Sequence, residues 1–410
     1  MDFSRLELTA DQQQFASEVR AFLDALVTED VHEEERRTGS GFNEHVHLAL
    51  GERGWIMPTW PVEDGGAGLD PVRKRILDIE LSRSRVPHIT AGTTGLVWTA
   101  IERYADPGLL EDLRRKVASG HVRFCLGYSE PDGGSDVAAA KVRAVRDGDE
   151  WVLNGSKIFT TSAQNSQYTF LITRTDPDLP KHKGLTMFLV PLSAPGVEIQ
   201  PIRTYGGERT NVVYYGDARI ADLYRVGAMN DGWSVLHGPL DAEHSLGGES
   251  TGLDDLSIGR NFLRPLERAL DAAAGWAGSA RRADGSVVAD DATVRLRLGK
   301  IAMDLEVGIS TPGPMGRVAG SEALVRGGAD LIDMVGPAAL LSHDAEGTVA
   351  GGTIDYAHRF AQGTTTYGGT VEVFRNMIAQ HVLGLPQMNL PGRRVFLVPR
   401  RAEQTAGARV

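Results

Sequence analysis

Two serine hydroxyls follow a short apolar run and are the first residues in the chain whose spacing suggests chemistry. The run FCLG begins at Phe124, and the segment YSEPDGGSD continues it to Asp136, with hydroxyls at Ser129 and Ser135. The apolar run predicts a strand, and the Pro-Asp-Gly-Gly sequence predicts a turn that leaves backbone N–H groups and hydroxyls exposed. Such an end is suited to hold the polar edge of a cofactor or a phosphate, although an ordinary strand-to-turn exit has the same pattern.

A second polar segment, NGSKIFTT at residues 154–161, follows after roughly one hairpin. The two segments together match the pattern S/T-E-P-x-x-G-S-D followed by N-G-x-K-x-W/F-I/T-T/S. The pair therefore resembles the flavin-binding β-domain of the acyl-CoA dehydrogenase family. The loop GWIMPTWP at residues 54–61, followed by GGAG, is similar to a loop of the same family.

The resemblance implies how the two segments would contact FAD. Leu126, Tyr128 and Ser129 would lie along the isoalloxazine ring, with the Ser129 hydroxyl at its polar edge. Ser135 would lie near the flavin and the substrate thioester. We expect Phe159 and Thr161 to alternate on the next strand. The ring would then stack on Phe159 and accept a hydrogen bond from Thr161, although an aromatic residue here is equally consistent with core packing.

A glycine turn opens a predicted helix near the C-terminus, in TTTYGGTVEVFRN at residues 364–376. Free N–H groups and the helix dipole favour a diphosphate at such a position. The segment resembles the family's Y-E-G-T-x-E/Q-x-x-R motif, and HVLGLP at residues 381–386 extends the match. By that resemblance, Thr370 and Glu372 contact the adenosine half of the cofactor.

The catalytic carboxylate of the family motif is absent, because its Glu position is occupied here by Gly368. α,β-Dehydrogenation needs a base for the α-proton, and some family members carry it in an L-x-x-E-R pattern after the β-domain. Glu243 of LDAEH matches that position, although an exposed helix residue would look the same. Room beside Gly368 would let Glu243 reach the α-carbon, and the N–H of residue 368 would stabilise the enolate oxygen. Both are expected catalytic groups.

The elements that must position these residues are helices, then strands, then helices. Capping signals at Thr9, Asp70 and Asp106 begin helices, and Gly120 ends the last of them. Six strand-like runs follow up to residue 215, and the helical period returns after residue 233. We therefore predict an α+β fold with an N-terminal helical domain (residues 1–121), a middle β-barrel or sandwich domain (122–230), a C-terminal four-helix-bundle domain (231–388) and a basic tail (389–410).

Composition limits the classes of function. The 410 residues are 41% hydrophobic and 24% charged, which is typical of a soluble globular protein. A net charge of −11 argues against nucleic acid as a partner. Apolar runs are too short to predict a membrane span, and the single Cys125 is consistent with a reducing, cytoplasmic location. The scattered histidines predict no metal site, and His45 and His47 are expected on a surface helix.

Two departures from the family concern assembly. The R-x-x-F-G segment that would contact a neighbouring subunit's flavin is not found between residues 261 and 300, and TPGP at residues 311–314 replaces a long helical hairpin. These differences resemble the α2β2 members of the family, in which two related chains share each flavin site unequally. The chain is therefore expected as a homo-oligomer or as a heterotetramer with a homologous subunit.

The resemblance implies an FAD-dependent dehydrogenase in which Glu243 takes the α-proton of an acyl-CoA substrate and the flavin takes a hydride from the β-carbon. Electrons would pass to an electron-transferring flavoprotein. Two alternatives stay open: a non-catalytic or half-site subunit of a heteromeric dehydrogenase, and an oxidase or monooxygenase of the same fold. A branched or steroid-like acyl chain is a hypothesis that follows from the space at Gly368 and from the shortened helical region near residues 311–314.

Overall fold

The N-terminal part of the protein is helical. The computed structural model describes residues 7–87, 89–236, 258–343 and 345–386. Its first helices are α1 Ala10–Leu26, α2 Glu29–Thr38, α3 Glu44–Glu52, α4 Pro71–Arg83, α5 Ile89–Tyr104 and α6 Pro107–Ala118. Their apolar faces, with Leu23, Leu77, Val97 and Leu113 fully enclosed, form one core together with strands of the sheet.

Short-range signals set the limits of these helices. The Thr9 hydroxyl accepts the N–H of Gln12 at 3.3 Å, and the Gln12 side chain accepts the N–H of Thr9 at 3.0 Å, as in a capping box. Asp70 and Asp106 cap α4 and α6, each followed by proline. Gly120 has φ 81° and follows the last residues of α6. These four predictions are confirmed.

The middle of the chain is one mixed sheet. Its strands are β1 Phe124–Gly127, β2 Arg143–Asp147, β3 Glu150–Lys157, β4 Tyr168–Arg174, β5 Leu185–Pro191, β6 Val197–Arg203, β7 Arg209–Ala221 and β8 Arg225–Val226. The hydrogen-bonded order is β6-β7-β3-β2-β4-β5-β8, and β1 pairs in parallel with β4. Among the described strands β6 and β8 end this order, so hydrogen bonds do not close the sheet into a complete barrel. The sheet nevertheless folds around a core of its own, in which the Trp151 ring of β3 lies 5.2 Å from the Phe188 ring of β5.

Alternation along β1 sends neighbouring side chains into two different cores. Phe124 packs with the N-terminal helices, and Leu126 and Tyr128 lie against the same cluster. Cys125 instead joins the core on the other face of the sheet, with Trp151 and Phe188. Burial raises the pKa of the Cys125 thiol to about 12, which leaves it an unreactive core residue.

The C-terminal part is again helical, with α7 Ile258–Ser279, α8 Ala292–Ser310, α9 Gly313–Val335, α10 Thr353–Thr364 and α11 Val371–Met377. α7, α8, α9 and α10 share one apolar core. Glycine allows α7 and α9 to approach closely, because a Cβ at Gly327 would lie 2.7 Å from the Leu266 side chain. The chain breaks between α8 and α9 at the predicted Pro/Gly link, where Gly313 has φ 59°.

The α+β class and the order of helices, sheet and helices are confirmed. The predicted domain limits stay predictions. Glu243 and the basic tail at residues 389–410 lie outside the described residues. None of the described helices combines the length and the hydrophobicity that a membrane span requires. The cytoplasmic location stays a prediction.

Candidate functional site

The two polar segments of the middle domain lie side by side. The N–H of Ile158 donates to the carbonyl of Ser129 at 2.9 Å. The Lys157 ammonium donates to the carbonyl of Tyr128 at 3.2 Å. The end of β3 is therefore hydrogen-bonded to the segment that follows β1, although β1 and β3 are not neighbours in the sheet. We call residues 126–135 and 158–161 the motif wall.

A buried ion pair joins the two segments. Lys157 Nζ lies 2.8 Å from Glu130 Oε1, with side chains 0% and 8% exposed. The Glu130 carboxylate also accepts the backbone N–H groups of Lys141 at 2.8 Å and Val142 at 2.9 Å. Burial lowers the pKa of the Lys157 ammonium to about 8, and the Glu130 carboxylate opposes that shift. Sequence analysis did not assign either residue to the site.

The predicted residues of the first segment lie around the end of β1. Leu126 and Tyr128 are half-buried against the helical core. The Ser129 hydroxyl lies 3.5 Å from the position that a Cβ would take at Gly134. Ser135 is exposed in the turn that follows. These positions are compatible with the predicted contacts to a flavin, which stay predictions.

Phe159 and Thr161 do not alternate on a strand, and that expectation was wrong. β3 ends at Lys157, and Phe159 has a left-handed backbone with φ 57°. Ile158 donates its N–H to Ser129 and not to β7, and the N–H of Thr160 then donates to the carbonyl of Asn211 in β7 at 3.0 Å. The Phe159 ring is nevertheless 60% exposed, and the Thr161 hydroxyl lies 3.1 Å from that of Thr210. Both side chains are thus accessible to a ligand.

The turn between β6 and β7, residues 204–208, brings the three parts of the chain together. Arg209 N–H donates to the Gly39 carbonyl at 2.6 Å, next to α2. On the other side, Arg359 of α10 donates to the Tyr205 carbonyl at 3.1 Å. Burial and, next, the Glu208 carboxylate raise the pKa of Tyr367, which adjoins Gly368. Sequence analysis missed this turn because the residues that join it to the two helical parts, Gly39 and Arg359, are more than 150 positions away from it in the chain.

The C-terminal glycine turn is present as predicted. Gly368 has φ 55° and Gly369 has φ 93°, both in the region that favours glycine. The Thr370 hydroxyl accepts the N–H of Val373 at 3.3 Å and so begins α11. Glu372 is exposed on that short helix, where its own N–H and the Thr370 hydroxyl lower the pKa of its carboxyl. Their contacts to adenosine stay predictions.

The backbone conformation at residue 368 is a second reason why glycine is favoured there. The sequence suggested that the absence of a side chain makes room for Glu243, which lies outside the described residues. The positive φ disfavours any L side chain at this position whatever the surrounding space.

Comparison with known proteins agrees with both polar segments and with the helices before them. Residues 9–121 match the model of the acyl-CoA dehydrogenase N-terminal domain, and residues 125–232 match the model of its middle domain. The acyl-CoA dehydrogenase IpdE1 of Mycolicibacterium smegmatis is 31% identical over 92% of this chain and 98% of its own length. The chain belongs to the acyl-CoA dehydrogenase family.

Solved structures extend this similarity to the whole fold of the dehydrogenase. The ChsE4-ChsE5 complex from Mycobacterium tuberculosis matches with a TM-score of 0.79 and 29% identity, covering 94% of this chain and 100% of the compared chain. A steroid acyl-CoA dehydrogenase, Tcur3481-Tcur3483, matches with a TM-score of 0.79 and 28% identity over the same shares. The prediction that this chain is an acyl-CoA dehydrogenase, an oxidoreductase, is confirmed.

Membership of the acyl-CoA dehydrogenase family implies a flavin, and the motif wall fits one. Phe159 offers an exposed aromatic face, which suits stacking on a flat heteroaromatic ring. The hydroxyls of Ser129 and Thr161 are available as hydrogen-bonding groups beside it. A Cβ at Gly133 would meet no atom within 4 Å, so the turn leaves open space.

Proposed function

We propose that the protein catalyses FAD-dependent α,β-dehydrogenation of an acyl-CoA thioester. The observation that carries this proposal is the contact between the two flavin motifs, which the buried Glu130–Lys157 pair and the Ile158–Ser129 hydrogen bond hold together. Because these contacts hold the two segments together, the motif wall can present Phe159 and Thr161 in one geometry, and preorganisation of this kind is what binding and catalysis require.

The residues of the motif wall would bind the flavin ring. Phe159 stacks on the ring and Thr161 donates a hydrogen bond to it, while Leu126, Tyr128 and Ser129 line its other edge. Ser135 lies towards the thioester, and Thr370 and Glu372 hold the adenosine half. FAD, when bound, supplies the acceptor for the hydride that leaves the β-carbon.

Two further positions would act on the acyl thioester. Glu243 removes the α-proton as the general base, because a carboxylate in a closed apolar site has a raised proton affinity. The N–H of Gly368 donates to the thioester oxygen as that oxygen gains negative charge. The left-handed turn supports this role, since it holds a residue without a side chain at the position of the family's usual Glu.

The substrate is proposed to carry a branched or polycyclic acyl chain. Support comes from the similarity to a protein described as a steroid acyl-CoA dehydrogenase. The electrons would pass to an electron-transferring flavoprotein, as the family resemblance implies.

A second candidate is a half-site subunit that completes the flavin site of a homologous partner. The ChsE4-ChsE5 complex and the Tcur3481-Tcur3483 protein, each named for two components, support a heterotetramer for this chain. In this case the chain would contribute only part of the site, and FAD would bind only in the assembly.

The visible spectrum of the purified chain tests these candidates, first alone and then mixed with a homologous subunit. A yellow chain that bleaches without oxygen when acyl-CoA is added supports the dehydrogenase. A colourless chain that gains flavin only in the mixture supports the half-site subunit. Oxygen consumption coupled to turnover would instead indicate the oxidase or monooxygenase alternative.

Glu243→Gln tests the base directly. We expect it to abolish bleaching by acyl-CoA while FAD stays bound, because the amide cannot accept the α-proton. Glu306→Gln is the matched control, since Glu306 is exposed on α8, where its carboxylate accepts the Ser310 hydroxyl at 3.2 Å. Turnover by Glu243→Gln at the wild-type rate would refute the assignment.

A further inference from the structure

A buried arginine lies behind the glycine turn that carries Gly368. Arg317 of α9 is 2% exposed and belongs to the largest fully buried side chains. Its guanidinium lies 4.7 Å from the centre of the Phe262 ring and 5.2 Å from that of Phe374. Because burial of a charged group is costly unless it is hydrogen-bonded, the contacts of Arg317 need an explanation.

Those contacts converge on backbone carbonyls of the turn. Arg317 Nη2 donates to Thr364 O at 2.6 Å, to Tyr367 O at 2.6 Å and to Gly369 O at 3.2 Å. Nη1 donates to the Ser321 hydroxyl, which in turn donates to Thr364 O at 3.2 Å. Arg317 therefore binds the carbonyl groups of the residues before and after Gly368, Tyr367 and Gly369.

The carbonyl of Tyr367 and the N–H of Gly368 belong to the same peptide group. In a planar trans peptide these two groups point in opposite directions, and cis bonds do not occur in the described part of the chain. With the Tyr367 carbonyl directed at Arg317, the N–H of Gly368 points away from the guanidinium. A charge-assisted hydrogen bond to the oxygen also polarises the peptide and makes its N–H a stronger donor.

We propose that Arg317 is a positioning residue for dehydrogenation, which fixes the direction and increases the donor strength of the Gly368 N–H. The inference rests on the proposed function, in which that N–H stabilises the enolate oxygen of the substrate. Arg317 does not touch the substrate in this arrangement; it acts through one peptide group. A donor that is held in place before reaction needs no reorganisation when charge develops.

The test measures the acidity of a bound ligand instead of turnover. A 3-ketoacyl-CoA ionises to an enolate that can be followed by its ultraviolet absorbance, and it is not dehydrogenated. The flavin-loaded protein, with its partner subunit if one is needed, is compared with Arg317→Met and Arg317→Lys. Arg326→Met is the control, because Arg326 lies on the same helix with its side chain 59% exposed.

We expect Arg317→Met to raise the apparent pKa of the bound 3-ketoacyl-CoA by about one unit, which is a tenfold loss of enolate stabilisation. The Kd of the neutral ligand at low pH should change less than about threefold, since only the charged form depends on the strengthened N–H. kcat should fall about tenfold with KM nearly unchanged. Arg317→Lys should give a smaller rise, because its ammonium keeps a positive hydrogen-bond donor although it lacks the planar fork that reaches several carbonyls. Arg326→Met should match the wild type.

An unchanged ligand pKa in both Arg317 variants would overturn the inference. A merely structural role would lower Tm and the amount of bound ligand without moving that pKa. If Arg317→Met does not fold, the pKa measured with Arg317→Lys decides. If the wild type itself leaves the ligand pKa at its value in solution, the proposed enolate stabilisation fails, whatever Arg317 does.

Discussion

The Lys157 ammonium lies 2.8 Å from the Glu130 carboxylate, and this buried ion pair joins the two flavin motifs. The pair closes a contact between residues that are 27 positions apart in the chain. Two backbone N–H groups also donate hydrogen bonds to the carboxylate. These bonds offset part of the cost of burying its charge. The buried pair therefore holds the two motifs together.

Lys157→Met should destabilise the protein strongly, because it leaves the Glu130 carboxylate buried without its cation. A loss of about 3–5 kcal/mol in the free energy of unfolding is typical of a broken buried pair. Urea unfolding measures it. The double variant Glu130→Gln/Lys157→Met should lose much less, since no charge is then buried. Equal losses in the single and double variants would show that the pair is not coupled.

Phe159→Gly should separate flavin binding from stability. Glycine relieves the left-handed backbone at φ 57°, and little burial is lost because the ring is 60% exposed. We expect the free energy of unfolding to stay equal or rise by up to about 1 kcal/mol, while FAD affinity falls at least tenfold. Phe159→Tyr, which keeps a ring, should retain FAD. Full FAD affinity in the glycine variant would contradict the stacking role.

Gly368→Ala should lower the free energy of unfolding by about 1 kcal/mol, because alanine is strained at φ 55°. Turnover should also fall, since a methyl group would occupy space assigned to Glu243. Gly275→Ala is a control of opposite sign: this exposed helical glycine of α7 has no atom within 4 Å of an added Cβ. Helix propensity predicts a gain of roughly 0.5–1 kcal/mol there. Thermal unfolding compares the two variants.

Glu35 should make stability depend on pH near neutrality. Burial raises the pKa of its carboxyl from 4.5 to about 7, against hydrogen bonds from the N–H groups of Gly41 and Phe42, while the Glu208 carboxylate adds to the rise. Because the folded-state pKa is raised, this contribution to stability is present below pH 4.5 and is lost as the pH rises through about 7. With an allowance for screening by solvent, we expect the free energy of unfolding to fall by on the order of 2 kcal/mol between pH 5 and pH 8.

Glu35→Gln should remove that decrease, because the amide keeps an oxygen for the backbone N–H groups and does not ionise. The measurement is Tm between pH 5 and pH 8. Glu33→Gln, an exposed change on the same helix, should leave the pH dependence of the wild type intact. A Glu35→Gln profile that still falls with pH would assign the effect to another group.

Sequence analysis was most successful where the signal and its partner are close in the chain. The capping pair of Thr9 and Gln12 is three residues apart, and the strand runs between residues 141 and 215 correspond to β2 through β7. It failed where tertiary contacts decide. His47 was expected on a surface helix, yet it is 1% exposed and its ring lies 5.2 Å from that of Phe42. Burial of a face depends on what packs against it, which no local pattern contains.

The sequence by itself determined the family, the order of helices and strands, and the segments that would meet a flavin and an acyl thioester, because each of these is encoded in spacings of a few residues. Only the tertiary structure decided how the segments are held. The pairing of Glu130 with Lys157 and the reach of Arg317 to the carbonyls beside Gly368 join residues 27 and about 50 positions apart. Such contacts form only after the sheet and the helices have packed, because the two partners of each contact lie on different segments of the chain.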